Sequence, residues 1–556
     1  MTATPRPVSL WVWCWLALTG AALALRPPLL PDETRYLAVA WEMWRDRQFL
    51  VPHLNGETYS HKPPLLFWLM NLGWAVFGVN DVTPRLVAPL FGLGTLALTA
   101  RLARVLWPAD PRAARIAPLI LIGGLFFALF ATLTMFDLIL AFFAVLGLFG
   151  LLDAARGKLA RGMIVCGIAI GLGVLAKGPA ILLHVLPAAL AAPWWAPKLP
   201  GARLPSWGRW YAGVLGALLL GAAIGLAWAI PAALAGGPEF AHAIFIGQSA
   251  GRMVESFAHK RPFWWFAAWL PVLLLPWTTW PVLWRAIASK QAWGRIGRDA
   301  GGRLIAVWFG IAFVAFSAIS GKQLHYLLPE FPAFALLAAR LTTQERENET
   351  ASPRNAVFPA LLLSAIAFAA VLAPAIPFAA RLLARIDDES PAWMALPAVA
   401  GLGVVLAARA RKLPTPEKSA AALALLVAAF VVGVHLTARP LLARSHELTA
   451  VAQRLKAWEN EGQAIAHVGK YHGQFHFAGR LARPLTVIGI DGEDSRAWLA
   501  THPRGKVVSY RDQPPGPSEP QPLFKAPYRN DWVAVWDRDD LARDPKVVYR
   551  DSARKD

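Results

Sequence analysis

Two adjacent carboxylates, Asp32 and Glu33, open a polar stretch that runs through Arg35, Tyr36, Tyr59 and His61 to Lys62. Two prolines follow Lys62 and stiffen the backbone there, so a cation is held at a fixed place about thirty residues from the acids. Acids directly after Pro31 also suit the first turn of a helix, where negative charge complements the dipole, and Thr34 to Trp44 reads as an amphipathic interfacial helix. The company the acids keep argues for more than a helix start. A carboxylate facing a pre-positioned cation beside a membrane suits a substrate with a lipid phosphate at one end and a reacting polar group at the other.

Further along, Asp137 interrupts the apolar stretch from Phe126 to Phe149 at a turn, where it either caps a helix or does chemistry. Lys177 closes another turn, as a snorkelling helix-end lysine or a ligand contact. Lys322 and Tyr326 share a polar turn between apolar helices, and Arg252, Lys260 and Arg261 sit in a long loop. Cations gathered on one face invite anionic headgroups, although any single one also serves as an ordinary phospholipid anchor. His61 and His242 are the histidines to consider as ligands for a divalent metal such as zinc, but no tight ligand spacing links them. His472 and His476 lie four apart in the tail without the glutamate of a zinc-protease helix, and read as surface residues. There is no P-loop, no dinucleotide glycine fingerprint, no GxSxG elbow and no cysteine-based metal site.

What must position these residues is mostly membrane. Of 556 residues 56% are hydrophobic and 16% charged, and the mean hydropathy is +0.42. That is more apolar surface than a soluble core needs, so the chain is a polytopic, mostly α membrane protein. Its net charge of +20 falls largely in short breaks between apolar runs, which is a topology signal and not a nucleic-acid footprint. Cys14 and Cys166 both fall in apolar runs and define no disulfide framework.

Residues 9–25 form a first apolar segment, read as an uncleaved helix although Ala22-Leu23-Ala24 has the look of a signal-peptidase site. Residues 65–78 are too short to cross and are expected along the interface. Spans are expected at 82–103, 114–133, 135–153, 163–178, 179–195, 210–230, 263–285, 303–320, 324–340, 356–374, 393–409 and 419–437, about thirteen helices with the first. The loops with Arg101, Arg156, Lys198, Arg295 and Arg411 mark the cytoplasmic side. The loop at 26–81, the Asp137 and Lys177 turns, residues 231–262 and the Lys322 turn then share the outer face. Gly167 and Gly171 form a GxxxG that signals close helix packing.

Residues 1–440 make the membrane region, and 441–556 a small outer α/β domain. A helix is expected at 445–461, with strands near 464–468, 485–490, 506–510 and 532–536 and a proline-rich loop from Pro514 to Pro527. Outside the cytoplasm nucleotide sugars are absent, so a group donor used there arrives already activated on a membrane carrier such as a polyprenyl phosphate.

The Asp32-Glu33-Thr34-Arg35-Tyr36 run, Tyr59-Ser60-His61-Lys62-Pro63-Pro64, the Asp137 turn, Lys177-Gly178 and Gly321-Lys322 together resemble integral-membrane glycosyltransferases of the GT-C fold. Within them the pattern is most similar to the aminoarabinose transferases of Gram-negative bacteria, with protein-mannosylating relatives. His61 departs from the glutamate frequent at that position, and the resemblance fades in the tail. It implies transfer of 4-amino-4-deoxy-L-arabinose from undecaprenyl phosphate to a lipid A phosphate, at the periplasmic face of the inner membrane, by a chain working as a monomer. Asp32, Asp137 and Lys62 would be catalytic, and Glu33, Arg35, Tyr36, Tyr59, Lys177, Arg252, Lys322 and Tyr326 would bind substrate. The competing expectations are a GT-C transferase with a hydroxyl acceptor and a polyprenyl-phosphate transporter, the latter disfavoured by the lack of inverted repeats.

Overall fold

The computed structural model describes residues 9–246, 260–344, 355–372, 395–409, 413–489 without 414, 497–529 without 499, and 531–540 without 538. Among these, six helical runs are long and apolar enough to cross a membrane: Val82–Leu106, Phe136–Ala155, Leu159–Leu190, Trp207–Ile246, Ala300–Ala318 and Pro416–Asn460. Shorter apolar helices at Leu10–Leu25, Leu65–Phe77, Val357–Ala369 and Ala395–Ala408 accompany them. The protein is a multi-pass helical membrane protein.

Against the expected count of about thirteen spans, several apolar runs are broken among the described residues. Residues 114–133 divide into α5 (Pro111–Ile122) and α6 (Leu125–Phe130). At the break a side chain on Gly123 would strike Leu119 O, Trp277 and the Ala424 backbone, while Leu125 N turns away to Leu275 O at 2.7 Å. Residues 263–285 divide into Trp265–Leu273, a short 3₁₀ turn at Trp277–Thr279, and Pro281–Ala288, with Pro271, Pro276 and Pro281 supplying the interruptions. Residues 324–340 begin as a 3₁₀ helix, Leu324–Glu330, and become α-helical at Phe331–Gln344. Residues 231–242, expected in a loop, instead continue helix α11 (Trp207–His242) past a break at Gly237.

Where the spans are unbroken, small residues let them close. In α8 (Leu159–Lys177) a Cβ on Gly167 would lie 2.8 Å from Ala217 O, and one on Gly171 2.6 Å from Ile224, so the GxxxG face is where α8 meets α11. Helix α7 (Phe136–Ala155) is the most enclosed span. It starts at a turn with Phe136 and Asp137, both buried.

The stretch between α1 (Leu10–Leu25) and α4 (Val82–Leu106) builds helix α2 (Asp32–Asp46), a hairpin of β1 (His53–Leu54) and β2 (Glu57–Thr58), and α3 (Leu65–Phe77). The hairpin turns on Asn55 and Gly56, at φ 57° and 81°, the paired positive values that Asn-Gly accommodates. Glu42 of α2 accepts both backbone N–H groups of that turn, at 2.6 and 3.0 Å. The expected interfacial segment forms α3, whose Leu66, Phe67, Met70 and Trp74 are buried in the protein.

After the long helix Pro416–Ser445 the chain forms Thr449–Asn460 and a five-stranded sheet ordered β4-β3-β5-β7-β6. Strands β3 (Ile465–Val468), β4 (Thr486–Ile488) and β5 (Lys506–Arg511) run parallel, and β7 (Asp531–Trp536) is antiparallel to β5 and β6. Strand β6 (Phe524–Tyr528) corrects the sequence expectation of a loop there. Its Pro527 is tolerated because β6 is an edge strand, with one side free of ladder bonds. The sheet region rests on the α2 hairpin: Asn55 exchanges hydrogen bonds with both backbone groups of Leu485, at 2.9 and 2.8 Å, and Trp41 Nε1 donates to Leu481 O at 2.9 Å. Cys14 and Cys166 are buried free thiols.

Candidate active site

The acidic pair at the start of α2 splits in two directions. Asp32 faces outward with its side chain 48% exposed, and its Oδ1 lies 3.7 Å from Arg35 Nη1 one turn later. Arg35 also reaches the sheet region, where Nη2 lies 3.2 Å from His472 Nδ1. Glu33 turns inward and is 2% exposed. Its carboxylate takes Arg26 at 2.5 Å, Leu29 N at 2.8 Å and Thr134 N at 2.7 Å, and Arg26 in turn donates to Thr132 O at 2.7 Å. Burial alone would raise the Glu33 carboxyl, but the Arg26 guanidinium and the two backbone N–H groups outweigh it and hold the group below its usual range. Every Glu33 oxygen is thus engaged inside the protein. The residue ties α2 to the 132–134 turn, a role the expectation of a substrate ligand did not foresee.

That turn leads to Phe136 and Asp137. The Phe136 ring is a hub: Tyr36 meets it edge-on at 4.9 Å, Phe67 at 5.6 Å, and Lys62 Nζ lies 5.7 Å from its centroid. Tyr59 packs on Phe67 and on His61. Both tyrosines are 4% exposed. Burial pushes the Tyr36 hydroxyl well up, with Asp32, Tyr59 and Asp137 adding to it, so the phenol stays protonated and can donate. Asp137 forms an ion pair with Lys177 Nζ, and Lys177 also stands over the Tyr326 ring at 4.9 Å. Lys177 is placed there because Gly178, at φ 73°, ends α8 immediately after it.

His325, missed from sequence, lies in the middle of this set. Its ring contacts Tyr326 at 5.1 Å and Phe130 at 5.8 Å. Burial lowers it to about 4, and it feels Asp137, Lys177, Lys62 and Asp32 together. It is therefore a neutral imidazole near neutral pH, offering a donor and an acceptor. The signal in sequence was its place beside Tyr326, in a turn already singled out.

Other candidates fall elsewhere. Lys322 is 3% exposed and donates to Arg261 O at 2.9 Å and to Ile319 O, so it clamps the 319–322 turn to the backbone at 261. Arg252 lies outside the described residues. His61 is exposed beside Tyr59, and His242 ends α11. Among the described residues no three of His, Cys, Asp and Glu come together, so the donor set of a divalent metal site is not assembled there. The tail histidines are not surface residues. His476 is fully buried, bonded through Nδ1 to Tyr471 Oη at 2.7 Å, and His472 holds Arg35.

An outward carboxylate, cations against aromatic faces and buried phenols form a cluster chemically suited to phosphate and sugar oxygens. Its donors stand ready to stabilise charge on a departing phosphate.

Comparison with known proteins narrows this. Residues 31–244 match the family model for dolichyl-phosphate-mannose-protein mannosyltransferase. An undecaprenyl phosphate-alpha-4-amino-4-deoxy-L-arabinose arabinosyl transferase of Enterobacter sp. (strain 638) is 30% identical over 323 residues, 56% of this chain and 55% of the relative. One from Pseudomonas aeruginosa (strain LESB58) is 31% identical over 342 residues, 60% of each. The chain thus spans little more than half the length of the curated relatives it matches. The crystal structure of ArnT from Cupriavidus metallidurans in the apo state superposes with a TM-score of 0.70 over 95% of this chain and 97% of ArnT, at 20% identity. The chain has the fold of ArnT. Its family match covers α2, the hairpin, and α3 through α11, the part that carries Asp32, Lys62, Asp137 and Lys177. ArnT has also been solved bound to undecaprenyl phosphate, and that structure has a TM-score of 0.68 to this chain.

Proposed function

We propose that this protein transfers 4-amino-4-deoxy-L-arabinose from undecaprenyl phosphate to a phosphate of lipid A, at the periplasmic face of the bacterial inner membrane, acting as a monomer. The reading is carried by the clustering of Lys62 and Tyr36 on Phe136, one residue before the Asp137 carboxylate that pairs with Lys177 beside Tyr326. The relatives' names supply the sugar and the carrier.

In this reading the bond from the sugar's anomeric carbon to the donor phosphate oxygen breaks, and its electron pair stays on undecaprenyl phosphate. Lys62 and Arg35 stabilise that charge, with phenols Tyr36 and Tyr59 donating to the phosphate or sugar. An ionised oxygen of the acceptor phosphate forms the new bond, so no base need remove a proton. Asp32, outward and half exposed, binds the sugar's ammonium or stabilises the oxocarbenium-like centre. Asp137 acts through Lys177, setting the lysine and Tyr326 across the cavity, and holding both partners in line adds proximity.

The mannosyltransferase family match favours one second reading, a hydroxyl acceptor. A hydroxyl must lose a proton, so Asp32 would then be a base. Mass spectrometry of lipid A from cells expressing the chain decides. A pentosamine increment on lipid A that disappears with Asp32→Asn supports the proposal. Unmodified lipid A beside modified protein supports the second reading, and lipid-linked sugar that crosses the bilayer untransferred supports a transporter.

A further inference from the structure

A cavity of about 620 Å³ lies beside α2, lined by none of Asp32, Lys62, Asp137, Lys177 or Tyr326. Its walls are the ends of three membrane helices on one face, α1 at Leu23–Leu25, α4 at Asp81 and Arg85, and Pro416–Ser445 at Arg439 and Ala443, closed by Thr449–Asn460 and the segment at Gln474–Arg480. It therefore opens where these helices leave the bilayer and meet the sheet region.

Its polar lining is biased toward cations. Arg26 is offset by Glu33, and Arg480 pairs with Asp81 at 3.2 Å. Arg85 is 8% exposed and donates only to backbone carbonyls, those of Ala22 and Arg26 at 2.8 and 2.9 Å and that of Leu23 at 3.4 Å, and its Nε has no partner. Arg439 is exposed and makes no hydrogen bond or ion pair among the described residues. The other acid, Glu447, is turned to Thr449, accepting its backbone N–H at 2.9 Å. Two guanidiniums without a side-chain ion pair thus border a cavity that also holds Asp81 and Glu447 and is otherwise lined by apolar Leu23, Leu25, Leu37 and Leu448. They stand on the outer side, where the positive-inside bias disfavours arginine. Guanidinium recognises phosphate in a two-pronged manner, and an apolar floor beside it fits acyl chains.

We propose that this cavity holds the phosphate headgroup of an anionic membrane phospholipid, at a site separate from the candidate active site, with Arg439 and Arg85 on the phosphate and the α1 end against the chains. The bound lipid fills the joint between the helix ends and the sheet region.

The test is native mass spectrometry of the full chain in detergent, titrated with phosphatidylglycerol and, separately, phosphatidylcholine. The wild type is expected to retain one phosphatidylglycerol at concentrations where phosphatidylcholine is stripped. Arg439→Gln is expected to weaken that retention at least fivefold. Ala443→Phe, which fills the cavity without altering charge, is expected to do the same while the protein stays monodisperse. Equal retention of the two lipids by the wild type, or retention within twofold of wild type in Ala443→Phe, overturns the proposal. So does displacement of the lipid by millimolar inorganic phosphate, which would make this a site for a soluble anion.

Discussion

The two ends of the helical region use the same residue types to opposite effect. At the end away from Asp32, Asp110 caps α5 and accepts from Arg340 at 2.9 Å, while Asp299 caps Ala300–Ala318 and accepts from Arg340 at 3.3 Å and from Trp107 Nε1 at 2.9 Å. Thr343 Oγ1 also donates to Asp110. Each charge there is answered by another within the cluster. At the other end Lys62 and Lys177 lie over the faces of Phe136 and Tyr326, and Asp32 keeps half its side chain in solvent with only a 3.7 Å contact to Arg35. A closed cluster spends its charges on holding helices, whereas at the other end, although Lys177 pairs with Asp137, Asp32 keeps its carboxylate open to something that arrives. Glu33 and Asp32 repeat this lesson within two residues.

The sharpest way to break the contrast is to substitute at the open end. Asp32→Asn and Lys62→Ala should each lower transfer by about 10²-fold or more, the scale of losing one preorganised electrostatic group. Gel filtration and circular dichroism should remain those of the wild type, and near-wild-type transfer by either variant removes that residue from the mechanism. Glu33→Gln should behave oppositely. It leaves Arg26 as an uncompensated buried charge, at a cost of about 3 kcal/mol, read as a fall in the temperature at which the protein survives heating in detergent. A purified Glu33→Gln protein of normal heat resistance but no donor binding would return Glu33 to the substrate.

Arg340→Gln should cost stability on a smaller scale, about 2 kcal/mol because the cluster is partly solvated. The molecules that remain folded should transfer at the wild-type rate, and a specific loss of turnover would mean the two ends are coupled. A last effect is on pH. His467 and His476 of the sheet region are lowered to about 4 by burial, whereas unfolded imidazoles titrate near 6.5. Between those values the unfolded state binds more protons, so stability falls as the pH drops from about 6.5 to about 4, by about 1.4 kcal/mol per pH unit for each histidine. Proteolysis of the sheet region at about pH 7 and about pH 5 checks the sign.

Much of this organisation could be read from the chain itself. Hydropathy located the apolar runs, and the alternation after Ser445 located four of five strands, because both are one-dimensional patterns. Chain breaks within apolar runs were harder to see. Gly123-Gly124 looks like any pair of membrane glycines until Trp277 and Ala424 are found against it. Strand β6 was hidden because Pro527 reads as a breaker unless the strand is known to lie at an edge. At the site, Asp32, Lys62, Asp137 and Lys177 stood out as charges in apolar surroundings. The fate of Glu33 did not, since it depends on Arg26 and on Thr134, about a hundred residues away. His472 was equally opaque, its contact with Arg35 spanning most of the chain.

The contacts of Asn55, Trp41 and Arg35 with residues 472–485 also set a limit on dissection. A chain cut near residue 446 would strand the Asn55 carboxamide, the Trp41 indole N–H and the Arg35 guanidinium at once. All three belong to the segment that presents Asp32. The tail is therefore a scaffold on which the opening loop is moulded, and swapping tails between relatives should transplant the loop's shape together with them.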